Sequence, residues 1–175
     1  MLRATLERVM GVVTGSDANI ELKLCGALMD MGLQGEGLSD KRVWVVKTHY
    51  PERVGKSKFP SQRALLLVRS PLDCITSLFH MTATGSHDLS ISDEDFVKHA
   101  KLWEQWVAQE VLIWKEFHDF WIQSKIPVHI IRYEDILQRN EETLTELFKF
   151  ILNEPDLEGT VIQQFIQMNA KEQAP

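Results

Sequence analysis

Cysteine is scarce in this chain of 175 residues: Cys25 and Cys74 are the only two. They cannot build a disulfide framework or a four-thiolate zinc site. No apolar run approaches the roughly 20 residues a membrane-spanning helix needs, and no signal peptide is visible at Met1. Nine glycines and six prolines are too few for a fibrous or low-complexity chain. No G-x-x-x-x-G-K-[ST] string of an ATP-dependent phosphotransferase occurs, and no metal-binding acid stands clearly after a strand. Internal repeats and linkers are absent too. What is present, 44% hydrophobic and 25% charged residues, suits one globular domain over residues 1–175, cytoplasmic by default.

The formal charge of −6 is unevenly spread. Between Lys41 and Arg69 stand eight basic residues, Lys41, Arg42, Lys47, Arg53, Lys56, Lys58, Arg63 and Arg69, against the single acid Glu52, a segment charge of +7. The rest, 11 basic against 24 acidic side chains, carries −13. A positive segment on an acidic body favours a compact anionic ligand. The acidic body, and the lack of aromatics through most of the basic segment, argue against nucleic acid.

Hydrophobic spacing organises the chain. Leu2, Leu6, Val9 and Val13 recur at helical spacing up to Gly15. Residues 26–40 hold four glycines and read as an irregular connection. Three short apolar runs have strand composition: 43–47 (VWVVK), 64–68 (ALLLV) and 127–131 (PVHII). Runs apolar on both faces suit a parallel sheet. After the second, Ser70-Pro71-Leu72-Asp73 predicts an N-capped helix to about Met81. Ser92 and its trailing acids open a predicted helix to about Ser124, with apolar residues on one face. Asn140 is expected to cap a helix to about Leu152, and a last amphipathic stretch covers 157–168. The alternation gives an α/β fold, a mainly parallel sheet flanked by helices.

In such sheets ligands bind beyond the carboxyl ends of the strands. Those positions hold Lys47-Thr48-His49-Tyr50-Pro51, then Arg69-Ser70 with Ser77 along the following helix, then Arg132-Tyr133-Glu134-Asp135. Cations, a base titrating near neutrality, hydroxyls and aromatic rings are thus expected on one rim. The remaining histidines (80, 87, 99, 118 and 129) share no ligand spacing and read as structural, so no metal site is expected. Trp103, Trp114 and Trp121 read as core.

These residues carry a family resemblance. Lys47-Thr48-His49-Tyr50-Pro51 resembles the lysine-threonine-histidine-aromatic-proline motif of sulfotransferases that use 3′-phosphoadenosine 5′-phosphosulfate (PAPS). Arg69 with Ser77 eight residues later is similar to their 3′-phosphate site, and Tyr133-Glu134-Asp135 to their tyrosine-glutamate-aspartate element. The three occur in the family's order over roughly residues 1–155. The resemblance implies a P-loop-NTPase-like fold lacking its first strand. It implies PAPS as co-substrate without a metal, and transfer to a hydroxyl of a small molecule or glycan. His49 would be the general base, which suits an imidazole with an unperturbed pKa of ~6.5. Lys47, on the same face of an extended segment, would neutralise the leaving oxygen. Arg69 would offer a fork of donors to the 3′-phosphate, Ser77 a hydroxyl from the helix flank, and Tyr133 would approach the adenine.

The resemblance also marks departures. The family's phosphosulfate-cradling loop has no counterpart, and its place would fall immediately before Met1. The late arginine-lysine-glycine element is missing before Pro175. The chain therefore reads as a core trimmed at both ends, whose alternative role is an inactive fragment that binds 3′-phosphoadenosine nucleotide or a protein partner. A homodimer is possible, although the family's dimer motif is not matched near Thr160. A Golgi location is possible if an anchor precedes Met1.

Overall fold

The computed structural model describes residues 2–18, 21, 23–51, 60–86 and 88–172. Arg53, Lys56 and Lys58 of the basic segment, and His87, lie outside the described residues. The chain forms two compact units, Met1–Arg63 with Asp135–Pro175, and Ala64–Glu134.

In the first unit, helix α1 (Leu2–Met10) buries Thr5, Leu6 and Val9. The sequence spacing predicts a helix reaching Val13, but Gly11 takes φ 65° and ends it early, leaving Val12 and Val13 exposed. Strand β1 (Gly15–Ser16) follows, then helix α2 (Lys23–Asp30) and strand β2 (Val46–Lys47). The predicted strand over 43–47 is thus two residues long. The start of the glycine-rich connection is helical through Asp30, since a single glycine, Gly26, costs a helix only about 1 kcal/mol. β1 and β2 pair in parallel, Gly15 opposite Val46 and Ser16 opposite Lys47.

The approach is close enough to demand glycine: a Cβ at Gly15 would lie 2.0 Å from the Leu38 carbonyl oxygen, and one at Gly35 2.0 Å from that of Thr14. A buried polar network surrounds β1. Arg3 pairs with Glu36 and donates from Nε to Thr14 Oγ1 (2.9 Å), while Ser16 Oγ donates to Glu36 Oε2 (2.7 Å). Burial alone would push the Glu36 carboxyl up, but the hydrogen bonds from Arg3 and Ser16 outweigh it and hold it below its ordinary value.

The same unit ends in α7 (Asn140–Leu152) and α8 (Val161–Glu172), with Leu144, Leu147, Phe148 and Ile166 fully enclosed. Asn140 is not the cap expected of it. It is the first helical residue; its amide donates to the Ile136 carbonyl and its Oδ1 accepts from Asn169 Nδ2 (3.1 Å). The last helix begins at 161 instead of 157. Thr160 Oγ1 accepts from Gln163 N, so a threonine cap, with Leu157 buried ahead of it, sets that boundary.

In the second unit, β3 (Ala64–Val68) and β4 (Val128–Arg132) pair in parallel along their full length. Leu66 and Ile131 are buried, while Leu67 and Ile130 are exposed. Leu66 pairs with Ile130 and Leu67 with Ile131, so each face carries one of each kind. Helix α3 (Pro71–Thr84) follows β3 and ends at Gly85 in the left-handed conformation, φ 70°. Ser70 precedes it as expected, but its side chain makes no capping bond; Pro71 at the first helical position sets the start.

The helix predicted over 92–124 is two helices, α4 (Asp93–Lys98), capped by Ser92, and α5 (Ala100–Ile122), with a break at His99. The apolar periodicity runs through the break because Phe96 and Trp103 both join Phe79 in an aromatic cluster. The ring centroids lie 4.9–5.3 Å apart. Trp114 stacks on His118, and Trp121 lies edge-on to Phe120. The architecture is α/β, with short parallel sheets flanked by helices. Among the described residues no helix is long and apolar enough to cross a membrane.

Candidate functional site

Lys47 and His49 sit at the carboxyl end of β2. Exposure alternates along the segment, Lys47 and His49 exposed, Thr48 and Tyr50 half-buried, the pattern of an extended chain. The inward-facing Thr48 anchors it: Thr48 Oγ1 donates to Asp17 Oδ2 (2.5 Å) and accepts from Tyr50 N (2.8 Å), while Asp17 N donates to the Lys47 carbonyl (3.2 Å). Asp17, just after β1, thus fixes the segment that carries both exposed groups. Sequence reasoning passed over it; the only signal was its place beyond Gly15-Ser16, a strand too short to show a pattern.

In the second unit the ends of β3 and β4 are tied together. The Glu134 carboxylate accepts from its own backbone N–H and from Ser70 N (3.3 Å), which holds it below its usual value. Arg69 then lies with its guanidinium 4.8 Å from the centre of the Tyr133 ring. Helix α6 (Tyr133–Gln138) begins at that tyrosine. Beside Arg69 opens a hollow of about 340 Å³, lined by Arg69, Asp73, Thr76, Ser77, His80, Leu89 and Ser90. Arg69 and Ser77 therefore share one recess, and Tyr133 flanks it through Arg69. Cys74 on the same helix is half-buried, and its burial pushes the thiol up from its ordinary range.

Other cations of the basic segment are spent elsewhere. Arg42 is forked onto Asp40, whose carboxyl it holds down at about 2. Arg63 lies over the Phe150 ring and donates to the Phe150 carbonyl. Among the described residues no cluster of three or more His, Cys, Asp or Glu is placed to hold a metal.

A loop bearing exposed lysine and histidine, and a recess bearing an arginine over a tyrosine ring and hydroxyls, suit anion binding and proton transfer. Residues 33–174 match the sulfotransferase domain family. The chain belongs to that family. It is 27% identical over 151 residues to a WSCD family member of Drosophila pseudoobscura pseudoobscura, covering 86% of this chain and 46% of that protein. WSCD family members of Aedes aegypti and Drosophila melanogaster are 28% and 26% identical over the same length, each with 45% of the relative covered. The chain thus spans less than half the length of these curated relatives. No solved structure matches it. The sulfotransferase membership supports a general sulfotransferase-like function.

Proposed function

We propose that the chain is one sulfotransferase domain that moves a sulfuryl group from PAPS to a hydroxyl of a small molecule or glycan. One observation carries the reading: Arg69, stacked on Tyr133, opens into the same recess as Ser77. A guanidinium fork and a hydroxyl suit a phosphomonoester, and the ring beside the guanidinium offers a face to a purine. PAPS supplies the sulfuryl group and the nucleotide that leaves.

The rest is done by side chains of this chain. Arg69 and Ser77 grip the 3′-phosphate and Tyr133 flanks the adenine. Lys47 sets its ammonium against the charge that develops on the leaving oxygen, and His49 takes the proton of the acceptor hydroxyl at its imidazole. No step calls for a metal. The Asp17–Thr48 bond supports this assignment, because it gives the segment carrying Lys47 and His49 a fixed geometry.

The test separates binding from chemistry. His49→Gln is expected to keep its affinity for adenosine 3′,5′-bisphosphate by calorimetry while losing at least about a hundredfold in sulfuryl transfer from PAPS. Full transfer by a folded His49→Gln protein would remove His49 as the base. Bisphosphate binding without transfer to any hydroxyl acceptor would instead make the chain a nucleotide-binding module.

A further inference from the structure

The recess beside Arg69 has a second wall. Gly85 ends α3 in the left-handed conformation, Thr84 Oγ1 donates to the Ser86 carbonyl (3.1 Å), and Leu89 and Ser90 line the hollow together with residues of the helix. That segment is pinned at its far end: Ile91 N donates to His80 Nδ1 (3.2 Å). His80 also packs its ring against Phe96, 5.7 Å between centroids.

That bond decides the chemistry of the imidazole. As an acceptor Nδ1 carries no hydrogen, so the neutral ring carries its hydrogen on Nε2. Among the described residues Nε2 has no hydrogen-bond partner and it is not among the buried unsatisfied atoms, and the ring lines the recess. Asp73, Thr76, Ser77 and His80 lie at i, i+3, i+4 and i+7, one face of α3, so Ser77 and His80 are a single turn apart.

We propose that His80 is a third donor to the anion held by Arg69 and Ser77, acting through Nε2–H in a tautomer fixed by Ile91. The ligand class is a terminal tetrahedral oxyanion, whose several oxygens can be shared among a guanidinium, a hydroxyl and an imidazole N–H. Asp73, the one acid among the described lining residues, repels the anion from its own carboxylate and so leaves it to Arg69, Ser77 and His80. The proposal rests on the nucleotide reading of the recess only for the identity of the molecule carrying that oxyanion.

Two substitutions separate the nitrogens of the ring. Glutamine can place an amide N–H near the position of Nε2, and asparagine an acceptor near that of Nδ1. His80→Gln is expected to bind adenosine 3′,5′-bisphosphate within about threefold of wild type. His80→Asn, which keeps the Ile91 contact and lacks the donor, is expected to lose about tenfold or more, the worth of a hydrogen bond to a charged group. Neither should change affinity for adenosine 5′-phosphate, and thermal melting confirms that both are folded. Wild-type affinity in His80→Asn would overturn the proposal and leave the nucleotide reading standing.

Imidazole nitrogen NMR of the wild-type chain, titrated with inorganic phosphate, reads the recess without the nucleotide. A saturable shift of the His80 Nε2 signal, lost in Arg69→Ala, is expected. If it occurs while wild type fails to prefer the bisphosphate, the nucleotide reading falls and the oxyanion site stands. If phosphate leaves that signal unmoved, the proposal falls.

Discussion

Arg69 carries two tasks that a lysine could not share. Its planar guanidinium stacks on Tyr133 while leaving N–H groups for an anion, whereas an ammonium offers a point charge and no plane. Arg69→Lys is therefore expected to weaken adenosine 3′,5′-bisphosphate about tenfold or more in calorimetry, with its melting temperature nearly unchanged. Asp73 acts in the opposite sense. It stands in the same recess, and removing its charge in Asp73→Asn is expected to tighten the bisphosphate several-fold in the same assay. Asp73 also lies in the first turn of α3, where a carboxylate favours the helix by about 0.3–1 kcal/mol, so the variant should melt slightly earlier. A variant that bound less tightly would place the anion elsewhere.

At the scale of elements, a buried polar network holds the short β1–β2 pair. Glu36 is nearly inaccessible and accepts from Arg3 and Ser16. Its carboxyl is held below the ordinary 4.5, so folding is favoured by its ionised form. That contribution is complete above about pH 4.5 and is lost as pH falls below it. Acid unfolding followed by circular dichroism should therefore show less pH dependence in Glu36→Gln. At neutral pH Glu36→Ala, which strands the Arg3 charge, is expected to cost about 3–5 kcal/mol. Thr48→Val should leave the fold intact but remove the side-chain bond to Asp17, leaving only the backbone bond from Asp17 N to the Lys47 carbonyl. Turnover is expected to fall several-fold with bisphosphate affinity unchanged; unchanged turnover would show that the Asp17–Thr48 bond does not position Lys47 and His49.

For the molecule as a whole, the legible parts were those whose signal is local and chemical. The run ALLLV and the Ser-Pro-Leu-Asp entry after it predict β3 and the start of α3, because apolar composition and a proline at the first helical turn act without distant help. β1 was not legible: Gly15-Ser16 has no strand character, and only pairing with β2 and the buried Glu36 make it one. The break at His99 was hidden because side chains on both sides of it join one aromatic cluster. Motif order supplied candidate site residues, two of which, Arg69 and Ser77, line one recess. Asp17 escaped, and Glu134 was named only as part of a motif, because its bond to Ser70 N joins positions 64 residues apart in sequence; the contact from Ile91 N to His80 was equally invisible in the spacing of the histidines. The charge pattern, a basic segment on an acidic body, was likewise only partly informative, since Arg42 and Arg63 are engaged by the protein itself.

The account stands on the recess beside Arg69 being a phosphate site for a 3′-phosphorylated nucleotide. Calorimetry of the wild-type chain with adenosine 3′,5′-bisphosphate and with adenosine 5′-phosphate tests this most directly. The account predicts that the bisphosphate binds at least about tenfold more tightly, as expected for charge-assisted bonds to the extra phosphate. It also predicts that Arg69→Ala erases the difference. Equal affinities in the wild type, or a preference that survives Arg69→Ala, would contradict it.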